Sequence, residues 1–123
     1  MNKNVLLLGA SLDTSRYSNI CLHDLASRSI PTFAVGLKEG DVAGIKVSRE
    51  LPEERSVHTV TLYLGAKNQH PFYHYILDLM PERVIFNPGT ENPEFEKMLS
   101  DKGIEVLSAC SIMMLHAGVF FDE

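Results

Sequence analysis

The chain has 123 residues, 45% of them hydrophobic and 22% charged, with a net charge of −5. That length suits one domain able to bury its own core, and the acidic balance disfavours broad nucleic-acid binding, which depends on Lys and Arg neutralising phosphates. No apolar run approaches the roughly 18 residues of a membrane span. The two cysteines, Cys21 and Cys110, stand far apart in no metal or disulfide pattern. The short apolar run after Met1 does not match a signal peptide, so a cytoplasmic protein is expected.

Val5-Leu6-Leu7-Leu8 is continuously apolar and predicts a strand covered on both faces, ending in Gly9-Ala10-Ser11. Cys21, Leu22, Leu25 and Ala26 have helical spacing and predict a helix over 18–29, stopped by Pro31. Thr32–Val35 predicts a second strand ending at Gly36. The polar stretch 37–56 predicts a loop, with a very short strand near Ile45-Lys46-Val47. Val57–Tyr63 is β-branched and predicts a third strand. Pro71 starts a helix over 71–80, with Phe72, Ile76, Leu79 and Met80 on one side. Arg83–Phe86 is a fourth strand. A helix follows, with Asn92 as N-cap, Pro93 at its first position, Phe95, Met98 and Leu99 facing the sheet, and Gly103 just past its end. Ile104–Leu107 is a fifth strand, and a last helix covers 109–117.

This alternation predicts an α/β domain over 1–123: a Rossmann-like, doubly wound, mainly parallel five-stranded sheet with helices on both faces. Such sheets bind ligands outside the carboxyl ends of their strands. That rule selects the loops 9–18, 36–44, 63–71, 87–92 and 108–111.

In the first loop, Gly9 permits a tight turn. Ser11 and Ser18 offer hydroxyls, and Arg16 offers a fork suited to phosphate. The helix start nearby offers N–H groups to an anion. The bland alternative is a plain β–α turn with Ser18 as N-cap. The loop lacks the GxGxxG dinucleotide fingerprint. After strand two, Gly36 and Lys38 replace the usual acidic residue. A cation there suits a phosphorylated ribose, as in NADP or coenzyme A; Glu39 could instead take the acidic role, and Lys38 could be a solvated loop lysine. His70 and His74 are four apart and His58 precedes them, yet no acidic or cysteine partner accompanies them, so surface positions are expected. Phe72, Tyr73 and Tyr75 read as packing residues. Cys110, where strand five meets the last helix, reads either as an activated thiol or as a small buried hydrophobe.

Leu8-Gly9-Ala10-Ser11, Arg16-Tyr17-Ser18, Gly44-Ile45-Lys46-Val47, Asn87-Pro88-Gly89-Thr90-Glu91-Asn92 and Cys110-Ser111-Ile112-Met113-Met114 together resemble the small single-domain CoA-binding proteins. These are related to the CoA-binding domain of succinyl-CoA synthetase. The resemblance spans nearly the whole chain in motif order. It implies a Rossmann-like domain holding coenzyme A or an acyl-CoA. Gly9, Ala10, Ser11, Arg16, Tyr17 and Ser18 match the loop that meets the phosphates. Gly36 and Lys38 lie where the family meets the adenosine end, although family members often read Asn-Pro where this chain has Gly36-Leu37. Asn87, Pro88 and Gly89 match the turn bordering the pantetheine, with Glu91 and Asn92 beside it, and Cys110 matches the late cysteine segment. The synthetase's phosphorylated histidine belongs to a ligase portion that this segment does not match.

The sequence is compatible with three functions: non-catalytic binding of coenzyme A or an acyl-CoA; NADP binding or redox sensing; and an interaction module with a vestigial pocket. In the third, Ile112–Leu115 and Val119–Phe121 either form a partner surface, including a homo-oligomer contact, or complete the core. No metal, nucleic acid or membrane is expected.

Overall fold

The computed structural model describes residues 3–121. Seven strands form one sheet: β1 (Val5–Ala10), β2 (Thr32–Gly36), β3 (Gly40–Val42), β4 (Ile45–Ser48), β5 (Thr59–Leu62), β6 (Arg83–Phe86) and β7 (Glu105–Ser108). Their spatial order is β3-β4-β2-β1-β5-β6-β7. Every neighbouring pair is parallel except the β3–β4 hairpin. Four helices cover it: α1 (Tyr17–Ser27), α2 (Tyr73–Leu79), α3 (Pro93–Asp101) and α4 (Ser111–His116).

The Rossmann-like α/β class stands as expected, but the sheet has seven strands rather than five. The difference is the β3–β4 hairpin, set in the polar stretch 37–56. Val42 and Val47 are its buried side chains, and Ala43 and Gly44 turn it at positive φ. The very short strand expected near Ile45-Lys46-Val47 is β4, whereas too few apolar residues alternate over Gly40–Val42 for periodicity to show β3. Pairing of β4 to β2 supplies the hairpin's stability instead.

β1 explains its own sequence. Leu6 and Leu8 join the core beneath α2 and α3, while Val5 and Leu7 join the core beneath α1 and α4. Both faces are covered, so the run is continuous rather than alternating. β5 divides differently. Val60 and Leu62 enter the α2/α3 core. Thr59 and Thr61 are fully buried and satisfied by polar partners: Arg83 Nε donates to Thr59 Oγ1 at 2.8 Å, and the Thr61 and Ser111 hydroxyls bond at 2.9 Å.

On the α2/α3 face, Tyr73 stacks on Phe95 with ring centroids 4.2 Å apart. Asn92 caps α3 by accepting from Phe95 N at 3.1 Å, and Pro93 is the first residue of the helix. Gly103, at φ +82, follows the C-cap residue Lys102. The segment expected as a helix over 71–80 is shorter: two 3-10 turns, Ala66–Asn68 and His70–Phe72, lead into α2. Among the described residues, no helix is long and apolar enough to cross a membrane.

Candidate functional site

The topology reverses between β1 and β5, since β2 and β4 lie to one side and β6 and β7 to the other. Ligands of such sheets enter at this switch point, beyond the carboxyl ends of the strands. The register makes the edge concrete. Ala10 is level with Gly36, and Leu8 with Leu62, which in turn is level with Phe86. The loops following these residues therefore share one rim. It carries Gly9–Ser18, Gly36–Lys38, Asn87–Asn92 and the Cys110 junction, so all the residues expected from sequence come to one edge.

Gly9 sits at φ +95, and a Cβ there would lie 2.8 Å from the carbonyl carbon and oxygen of Tyr63. Only glycine lets β1 turn this close to β5. Beyond it the loop organises itself. Ser11 Oγ accepts from Asp13 N, and Asn19 Nδ2 donates to the Ser11 carbonyl at 2.9 Å. Asp13 Oδ1 accepts from both the amide and the hydroxyl of Ser15. These two bonds, backbone first, hold the Asp13 carboxyl below its ordinary pKa.

Ser18 is not the N-cap of α1, as the plain-turn reading would have it. Arg16 occupies that position and provides no side-chain cap, while Ser18 is 4% exposed within the first turn. Among the described residues, the Tyr17 and Ser18 amides have no partner, whereas those of Asn19 and Ile20 return to the Arg16 carbonyl. The Arg16 side chain is exposed, and so is Tyr17. An open helix start beside a guanidinium is an anion-holding arrangement.

The Asn87–Asn92 turn has the opposite character. Asn87 is 1% exposed, and its side-chain amide is fully engaged. Its Nδ2 donates to Thr61 Oγ1 and the Leu62 carbonyl, and its Oδ1 accepts from Ser111 N. Asn87 thus ties β6 to β5 and serves as a cap for α4. Asn92 Nδ2 donates to Gln69 Oε1 and Tyr73 Oη, and its backbone N–H donates to Glu96. Glu91 accepts from Gly89 N. Pro88 and Gly89 are exposed at the rim, with Gly89 at φ +92 and open space where a Cβ would be.

Sequence reasoning missed Gln69. It is 1% exposed and donates to the Leu64 and Thr90 carbonyls while accepting from Asn92. One side chain therefore joins the post-β5 and post-β6 loops. Nothing in the local sequence marks this, because two of its three partners, the Thr90 carbonyl and the Asn92 side chain, belong to a loop more than twenty residues away.

Cys21 is fully buried in α1, and desolvation pushes its thiol up to about 12. Cys110 is half-buried at the N-cap of α4. The Tyr63 hydroxyl is enclosed beside Cys21 without a hydrogen bond of normal geometry, and burial moves its pKa upward. His70 and His74 are exposed, and no group of three potential metal ligands occurs among the described residues. A crevice of about 390 Å³, lined by Arg28, Ile30, Leu115 and Phe120, lies at the opposite end of α1 and α4 and contains none of the candidates.

A model of the CoA binding domain family matches residues 3–117. The chain belongs to that family. With this match the CoA-binding resemblance seen in the motifs is established. An uncharacterized protein of known crystal structure is 46% identical, with a TM-score of 0.91, over 98% of this chain and 99% of its own. A protein from Thermus thermophilus aligns at 24% identity and TM-score 0.82, over 97% of this chain and 91% of its own. A hypothetical protein from Pyrococcus horikoshii OT3 aligns at 22% identity and TM-score 0.83, over 96% and 84%. The last two establish likeness of fold alone. None of the curated proteins is a detectable match. Family membership supports coenzyme A as the ligand in general.

Proposed function

We propose that this protein binds coenzyme A or an acyl-CoA without catalysing a reaction, holding the diphosphate at the Gly9–Ser18 loop. The carrying observation is the uncapped start of α1, with the Tyr17 and Ser18 amides unpartnered and Arg16 in the cap position. Gly9 supports it by keeping the backbone low over Tyr63, and Ser11 and Asp13 support it by ordering the loop before a ligand arrives. Gly36 and Lys38 face the adenosine end of the ligand in this reading. Pro88 and Gly89 line the pantetheine side. Asn87, Glu91 and Asn92 shape that wall from beneath rather than by spare donors. Cys110 stands at its far border. The ligand is a small molecule; neither a membrane nor nucleic acid enters this reading.

A charge–dipole contact contributes on the order of 0.3–1 kcal/mol, so several contacts must act together. Replacing Arg16 by Ala is expected to weaken coenzyme A binding in calorimetry about ten- to a hundredfold, because a charge-assisted hydrogen bond contributes roughly 1.5–3 kcal/mol. The variant's binding should also be less sensitive to salt. Unchanged affinity in a folded variant removes Arg16 from the site. In a thermal-shift series with coenzyme A, acetyl-CoA, NAD and NADP, the first two should stabilise the protein. Stabilisation by NADP alone would overturn the reading.

A further inference from the structure

The chain is acidic, yet its unpaired cations are not scattered. Among the described residues, Arg28, Arg55 and Lys97 are paired with Asp24, Asp78 and Asp101. Arg83 is engaged by Thr59 and Phe120. Six cations make no ion pair or side-chain hydrogen bond among the described residues: Arg16, Lys38, Lys46, Arg49, Lys67 and Lys102. Four of them follow the carboxyl ends of parallel strands, Arg49 after β4, Lys38 after β2, Arg16 after β1 and Lys67 after β5. Lys46 lies inside β4, and Lys102 ends α3 at the other edge.

The hairpin is what brings Arg49 to this rim. β4 is parallel to β2 with Ser48 level with Val35, so Arg49 is level with Gly36. Gly36 in turn is level with Ala10, and its Cβ position lies 2.3 Å from the Ala10 carbonyl oxygen. Gly40, at the start of β3, abuts Leu12 of the first loop. The first loop, the β2 loop and the hairpin therefore form one continuous ridge. Strands lie about 4.8 Å apart, which sets Arg49 two strands, or about 10 Å, from the Arg16 loop. Glu39 and Glu50 adjoin Lys38 and Arg49 in the chain. They offset the long-range field, so whatever these cations recognise must touch them.

We infer that Arg49, together with Lys38, recognises the phosphate carried on the ribose of the bound nucleotide, and so separates a ribose-phosphorylated ligand from its unphosphorylated counterpart. The inference rests on the coenzyme A reading and adds a residue to it. Arginine suits the task because its planar fork matches phosphate oxygens two at a time.

The test is calorimetry at fixed salt with coenzyme A and 3′-dephospho-coenzyme A, on the wild type, Arg49→Gln and Lys38→Gln, with circular dichroism confirming the fold of each. The wild type should prefer coenzyme A by about tenfold, the size expected for one charge-assisted contact. In Arg49→Gln that preference should collapse while affinity for the dephospho ligand stays within about twofold, since the neutral contacts are untouched. Lys38→Gln should lose part of the preference, and Arg49→Lys should restore part of it. A variant Arg49→Gln that keeps the full preference overturns the inference, as does a wild type with no preference; both leave the coenzyme A reading standing. A wild type that binds neither ligand overturns both.

Discussion

Gly9 shows how little freedom a single position can have. Its φ of +95 and the 2.8 Å approach to Tyr63 are independent demands for glycine. Gly9→Ala should lower stability by about 1–3 kcal/mol through strain and overpacking, measured by urea denaturation, and should also weaken ligand binding. Cys21 and Cys110 should react very differently. Burial raises the Cys21 thiol to about 12, and the thiolate is the reactive form. In the folded protein at neutral pH, iodoacetamide should label Cys110 and spare Cys21 by mass spectrometry; equal labelling would contradict the buried environment. The raised value also has a sign for stability. The folded state holds this proton more tightly than the unfolded chain, whose thiol loses it near 9. This contribution is intact below about 9 and is lost as pH rises toward 12. Cys21→Ala should therefore flatten the alkaline end of the stability profile.

At the scale of elements, the Asn87–Asn92 turn and α3 behave as one unit. Asn92 caps the helix and also supports Gln69 and Tyr73. Asn92→Ala should cost about 2–3 kcal/mol, the loss of a cap plus two buried acceptors, Gln69 Oε1 and Tyr73 Oη, left without their donor, read from the shift in thermal midpoint. Gln69→Leu removes the tie between two loops and should raise protease sensitivity at 63–71 and 87–92 more than it lowers global stability. The α3 start was legible locally, because a cap, a following proline and the Phe95-Met98-Leu99 spacing lie within eight residues. α1 was legible as a helix but not at its first turn. Ser18 looks like a cap by residue type, yet the chain enters the helix at Arg16 and buries Ser18. The side chain that would mark a cap is absent, so composition pointed to its nearest substitute.

Across the whole molecule, the alternation of strand and helix periods was enough to read a parallel α/β sheet with its rim of loops. The candidate residues reach one edge because each lies at, or in the segment following, the carboxyl end of a strand in a sheet whose neighbours are parallel. The short strand expected near Ile45-Lys46-Val47 is β4, but β3 and its hairpin pairing escaped that reading. The hairpin's strands are short, and their stability comes from pairing to β2 rather than from their own pattern. The far end of the sheet was equally hidden. Arg83 is 8% exposed and lies against the Phe120 ring at 4.8 Å while donating to the Phe120 carbonyl. Arg83→Met should retain the core yet loosen the segment after α4, seen as faster amide exchange around Gly118–Phe120.

The sequence by itself determined the fold class, the order of most elements and the loops that form the candidate site, because hydrophobic periodicity and turn residues act over a few neighbours. Tertiary structure alone decided which polar residues are occupied and which are free. Asn87 and Asn92 are consumed by partners 19–26 positions away, while the α1 amides, Arg16, Lys38 and Arg49 stay open. A hydrogen bond depends on atoms brought together in space, and no local pattern records which distant carbonyl a side chain will meet.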